Sequence, residues 1–215
     1  MKETFRFDSA KIFSEMSNQF LELHFVEFSN GIPYFEDLSD DDMKTDYFKR
    51  YDWKKSMKII RNIYGEVLMA HSDGKAEPVA LFEHRTLPEP KTENDCSSFN
   101  LVRYRRQFKK PGMLGVPVVF QIKVAGSVYH MYCTDEENRK VVKFKEGSAP
   151  TNVEENMKNI IFYQQYFDGT HSKFESAWAS GWFLCTMETN MLHMFALKKP
   201  IREDEMIAVG LDDVP

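Results

Sequence analysis

The residues of this 215-residue chain whose types and spacing could do chemistry include six histidines, three cysteines and a few runs of charge. Cys185 lies near His193 in sequence, and a thiol and an imidazole can form a nucleophilic pair. Nothing near them supplies an orienting carboxylate or oxyanion donors, so two neighbouring strand residues without a reactive role is the better reading. His24, His130 and His193 alternate with apolar residues and are expected at edge or outward-facing strand positions, not as ligands or bases. Asp40-Asp41-Asp42 offers the oxygens hard cations take, but lacks the spaced ligands and glycine turn of a calcium loop. A solvated linker is expected there, with no metal and no cofactor. The run 103–110, RYRRQFKK, mixes cations and aromatics as nucleic-acid surfaces do; a strand end followed by a basic protein-contact loop fits it better. GxGxxG, P-loop, HExxH, GxSxG and EF-hand patterns are all absent. The chain does not read as an enzyme.

The elements that must position these residues are short strands. Period-two or fully apolar runs occupy 57–63, 66–71, 78–83, 98–105, 116–124, 127–133, 140–145, 159–167, 173–177, 181–186, 191–198 and 206–211. Tyr64-Gly65, Ser72-Asp73-Gly74, Ala125-Gly126 and Asp168-Gly169 sit where hairpins need turns. Only 152–156 hints at a helical turn. Twelve short strands without alternating helices predict an all-β barrel or sandwich. Phe174, Phe183, Phe195 and Ile161 are expected in its core. Upstream, 12–20 fits a helical stripe and 21–25 alternates like a strand. A turn at 29–33 follows, then an acidic run at 36–42 that opens a linker reaching to about residue 50.

Composition narrows the class further. Hydrophobic residues at 42% and charged residues at 28% are near globular averages, which excludes a wholly disordered chain. No apolar run approaches the ~20 residues of a bilayer span, so no membrane insertion is expected. The opening MKETFRFDSA has no uninterrupted apolar segment, and no secretory signal peptide is expected either. Cys96, Cys133 and Cys185 are odd in number and lack metal-site spacing, which points to reduced thiols acting as small apolar residues in the cytosol. The net charge of −5 is uneven: residues 1–46 hold four basic and eleven acidic side chains, a net of −7, and the remainder carries +2. So small a positive charge argues against nucleic acid as a partner.

Four stretches carry a resemblance. FESAWASGWFLCT (174–186) resembles the signature of the interleukin-1 cytokine family, an F-E-S strand followed by an aromatic strand. VVKFKEGSAPTNVEENMKNIIFYQQ (141–165) and LKKPIREDE (197–205) are similar to the interleukin-18 branch of that family. So is FSNGIPYFEDLSDDDMKTDYFKRYDWKKSMKIIRNIYGEVLMA (28–70), where an acidic stretch leads to Asp-Tyr-Phe, a basic segment and Ile-Arg-Asn. Residues 1–20 and 86–112 match poorly.

The resemblance implies a β-trefoil of twelve strands behind an N-terminal acidic propeptide, with residues 1–46 as propeptide and 47–215 as cytokine domain. It implies a leaderless pro-inflammatory cytokine precursor, cytoplasmic until a caspase cuts it, then secreted. Asp46 is the implied residue before the cut and Tyr47 the first after it. Lys44 stands where the family has an acidic residue. The implied partners are the cell-surface chains of a two-chain interleukin-18-type receptor, the processing caspase and a soluble binding protein. Arg61 matches a receptor-contact position, and Lys54 and Lys55 fall in the basic segment before it; Asn190 replaces a basic residue of the family. The acidic segment is expected to cover these cations until the cut. Another agonist or an antagonist of the same family, or an intracellular β-trefoil binding module, stays open at this stage.

Overall fold

The computed structural model describes residues 23–29, 32–37, 48–50, 56–72, 77–85, 95–106, 115–137, 139–201 and 204–214. The chain divides into two units, Met1–Thr45 and Asp46–Pro215. In the first, β1 (Leu23–Ser29) and β2 (Ile32–Asp37) form an antiparallel hairpin. Its register runs from Leu23 opposite Asp37 to Ser29 opposite Ile32. The acidic run expected to be linker therefore begins inside a strand, at Glu36 and Asp37. The helical stripe at 12–20 and Asp40-Asp41-Asp42 lie outside the described residues.

The second unit contains β3 (Phe48–Arg50), β4 (Met57–Arg61), β5 (Val67–His71), β6 (Val79–Glu83), β7 (Asp95–Cys96), β8 (Ser98–Arg106), β9 (Val116–Val124) and β10 (Ser127–Glu136). After these come β11 (Arg139–Glu146), β12 (Asn152–Val153), β13 (Phe162–Tyr166), β14 (His171–Ser176), β15 (Phe183–Thr189), β16 (Leu192–Lys198) and β17 (Val209–Asp213). Pairings run β4–β8–β9–β13–β14–β17, and β17 pairs back to β4, so six strands close a ring. Closure leaves the ring no free edge. Three hairpins stand on it: β5–β6, β10–β11 and β15–β16. Each hairpin is flanked in sequence by two ring strands, giving three four-strand repeats around one axis. That arrangement is a β-trefoil.

The twelve expected strands correspond to those of the three repeats. The structure adds β3, β7 and β12, each of two or three residues and too short for a periodic signal. Two expected strands start late, because 3₁₀ turns occupy Glu155–Ile160 and Glu205–Ile207 ahead of β13 and β17. Residues 48–50, expected in the linker, form the strand β3 between β8 and β12.

The ring encloses a core with Ile60, Leu68, Phe99, Phe120, Phe162 and Phe174 among its buried members. Phe120 meets both Phe162 and Phe174 edge-on, with centroids 5.5 Å and 4.9 Å away, the offset geometry aromatic pairs prefer. Phe195 is buried in the same core, while Ile161 lies in a second cluster around Phe48, Tyr104 and Val153. Phe183 is a correction: it is only half-buried, and its neighbour Leu184 points inward instead. Strand side chains alternate, so one residue of shift exchanges the faces.

Hairpin tips follow turn chemistry. Ala125 and Gly126 have φ of 48° and 88° between paired Val124 and Ser127. Asn190 and Met191 repeat this at 52° and 63°, although an unbranched apolar residue is a poor occupant of left-handed backbone. Met191 projects into solvent at 90% exposure.

Candidate functional site

Arg61 ends β4, opposite Gly210 of β17, and begins the turn that leads to β5. Its Nε donates to Asp212 Oδ2 at 2.6 Å and its Nη1 donates to the Gly65 carbonyl at 2.8 Å. The guanidinium is therefore aimed across the turn, held by a strand on one side and by turn backbone on the other. Three residues earlier in β4, Lys58 Nζ donates to Asp213 Oδ1 at 2.7 Å.

The turn is knit from within. The Gly65 amide donates to the Asn62 carbonyl at 3.0 Å, and the Asn62 amide donates to the Glu66 carbonyl at 3.1 Å. Asn62 Oδ1 accepts from the amides of Tyr64 and Glu66, each at 3.0 Å, while its Nδ2 donates to Glu66 Oε2 at 2.6 Å. Asparagine suits such a turn because its side chain substitutes for backbone partners. Both Asn62 and Glu66 are buried, at 2% and 6% exposure.

A buried carboxylate needs partners, and two histidines from elsewhere in the fold provide them. His193 Nδ1, on β16, stands 2.6 Å from Glu66 Oε2, and His84 Nε2, just beyond β6, stands 3.2 Å from Oε1. Burial acts to raise the pKa of Glu66, but the bonds from Asn62 and His193 outweigh it and leave the pKa lowered, so the group is a carboxylate at neutral pH. Tyr64 lies flat on the His193 ring, with centroids 5.1 Å apart and planes at 15°. The half-exposed tyrosine thus caps a polar network that the sequence gives no sign of, beyond an asparagine and a glutamate flanking a glycine turn.

The other sequence candidates separate. Cys185 and His193 do not form a pair: Cys185 faces Ala196 across the hairpin and His193 faces Glu188. Burial pushes the Cys185 thiol up to about 11 and that of Cys133 up to about 12, which makes poor nucleophiles of both. His130, expected at an outward position, is buried, with Nδ1 2.9 Å from the Gly147 carbonyl. Arg103 and Arg105 lie on β8, with Arg105 opposite Lys49 of β3; the rest of the basic run from Gln107 lies outside the described residues. Asp46, Tyr47, Lys54 and Lys55 also lie outside the described residues. Among the described residues no group of three His, Cys, Asp or Glu side chains could hold a metal ion. Nor is any helix among them long and apolar enough to cross a membrane.

Known proteins match this sequence and fold. The family model for Interleukin-1 / 18 matches residues 97–209. Chicken interleukin-18 is 32% identical over 176 residues, covering 80% of this chain and 82% of the relative. Human interleukin-18 is 28% identical over 185 residues, covering 84% and 86%. The crystal structure of chicken interleukin-1 beta superposes with a TM-score of 0.54 at 19% identity, covering 76% of this chain and 98% of that one, which is a likeness of fold. With the family model matched over more than half of the sequence and interleukin-18 relatives matched over most of their length, the chain belongs to the interleukin-1/18 family of cytokines, which are signalling proteins and not enzymes.

Proposed function

We propose that this chain is the precursor of an interleukin-18-type pro-inflammatory cytokine, cut after Asp46 by a caspase and then active on a two-chain cell-surface receptor. The single observation that carries the reading is the interleukin-18 match itself, 32% identical over 176 residues and 80% of this chain, a longer stretch than the 97–209 of the family model. The precursor is held in the cytoplasm and the cut form is secreted.

Two structural features support the cut. The boundary between the two units falls between Thr45 and Asp46. Directly after it, Phe48 is fully buried in the second cluster, and β3 pairs with both β8 and β12. Scission before Phe48 therefore leaves the strand that anchors the new N-terminus in place. A caspase requires an aspartate before the bond because its arginines hold that carboxylate by charge-assisted bonds.

Arg61 is the proposed receptor contact on described backbone, with Lys54 and Lys55 proposed beside it. Its side chain is partly exposed and its guanidinium is fixed at two points, through Nε and Nη1, so little side-chain entropy is left to lose on binding. Incubating the full chain with inflammatory caspases and sequencing the new N-terminus tests the processing half. A first residue other than Tyr47, or no cut, would contradict it.

A further inference from the structure

The hydrogen-bond chain that ends on Arg61 begins on a different repeat of the trefoil. Arg61 takes its aim from the Gly65 carbonyl, Gly65 is fixed by Asn62, Asn62 is clamped by Glu66, and Glu66 is held by His193 on β16 and His84 after β6. Glu66 is thus the joint between the β4–β5 turn of the first repeat and the last hairpin. Removing its charge leaves Asn62 Nδ2 and the His193 ring facing a neutral group inside the fold, which buried donors tolerate poorly.

We propose that Glu66 is the positioning residue for Arg61 and Tyr64 in receptor binding, and that His193 and His84 make its grip tighten in mild acid. This rests on the reading of the β4–β5 turn as a receptor contact. The charges around the joint favour that sign. Glu66 stays ionised as the pH falls below neutral, because its pKa lies under the usual carboxylate value. Each proton that His193 or His84 gains adds attraction to a carboxylate that is shielded from water. Glu188 of β15, directly opposite His193, adds a second negative group. Arg61 stays paired with Asp212 on the far side of the turn, and Glu83 beside His84 is engaged by Arg85 at 3.0 Å. Protonated His193 also presents a cation to the ring of Tyr64 stacked on it, a contact that is attractive in its own right. The added histidine charge therefore holds the turn more firmly, while the arginine pairs around it stay as they are.

The test is dissociation of the full chain, before and after caspase treatment, from the immobilised ectodomain of an interleukin-18-type receptor chain at pH 7.4 and 6.0. The wild type should leave about threefold more slowly at the lower pH. Glu66→Gln should leave at least about tenfold faster at pH 7.4, the scale of losing a buried hydrogen bond to a charged group, and should show no response to pH. His193→Gln keeps a donor but cannot titrate, and should lose most of the pH response. Because Glu66→Gln is buried and can fail to fold, His193→Gln, at a partly exposed position, keeps the test decisive. Arg61→Ala is run alongside. If it weakens binding while Glu66→Gln and His193→Gln behave as wild type, the positioning role is overturned and the receptor reading survives. If Arg61→Ala binds as wild type, the receptor reading falls and takes the inference with it. A wild-type off-rate that is flat or rises toward pH 6.0 overturns the acid response.

Discussion

Arg61 Nε donates to Asp212 Oδ2 at 2.6 Å, and the pair spans the seam where the first and last strands of the six-strand ring meet. Both side chains keep substantial exposure, so solvent screening limits the pair to less than about 1 kcal/mol. Arg61→Ala should therefore shift the denaturant midpoint only slightly while weakening receptor binding about tenfold or more, a hot-spot loss for an arginine. Arg61→Glu is a less clean probe, because it sets a second carboxylate against Asp212. Paired chemical denaturation and surface-binding measurements on Arg61→Ala check both halves.

Core truncations should separate two phenylalanines that look alike in sequence. Phe174 is fully buried and touches Phe120, so Phe174→Ala should cost about 3–5 kcal/mol. Phe183 is half-buried on the outer face, where Lys173 Nζ sits 5.7 Å from its ring centroid, and Phe183→Ala should cost about 1–2 kcal/mol. Urea unfolding of both variants gives the comparison; equal losses would mean that Phe183 and not Leu184 faces the core.

Much of the trefoil is legible in the chain because turn chemistry and period-two patterning agree around it. Ala125-Gly126 and Asp168-Gly169 mark real connections, and the apolar runs between turns are the strands of the three repeats. The face of β15 is not legible, since Trp182, Phe183, Leu184 and Cys185 form a continuous apolar run in which alternation has nothing to select. β3 and β12 are invisible for another reason: they exist only because distant segments bring their partners to them. The candidate site divides the same way. Arg61 is named by resemblance alone, whereas the link from Glu66 to His193 joins residues of the first and third repeats and has no local signature.

Thiol reactivity should follow burial. Cys133 and Cys185 are enclosed, with pKa values pushed up to about 12 and about 11 by loss of hydration. Cys96 is only partly buried. Brief iodoacetamide treatment of the native chain at pH 8 should label Cys96 first and reach the other two only after denaturant is added. Peptide mass mapping reads the order, and early labelling of Cys133 would contradict the packing.

The β13–β14 turn should loosen in strong acid. Asp168 accepts from the amides of Thr170 and His171, both at 2.9 Å, and from the His171 ring. The Thr170 amide first, then the His171 side chain, hold its carboxyl down to about 2 from an ordinary 3.8. A depressed value means that its contribution is complete above about pH 4 and is lost as the pH falls toward 2. Amide shifts of Thr170 and His171 should move through that window and stay flat in Asp168→Asn.

The central claim is that a cut after Asp46 turns this chain into an active cytokine. One side-by-side assay decides it: cells carrying an interleukin-18-type receptor receive equal amounts of uncut full chain and of caspase-treated chain whose new N-terminus has been sequenced. The account predicts a Tyr47 start, with signalling and tight receptor binding from the cut form alone, and silence from Asp46→Ala treated in the same way. Equal signalling by uncut and cut protein would contradict it.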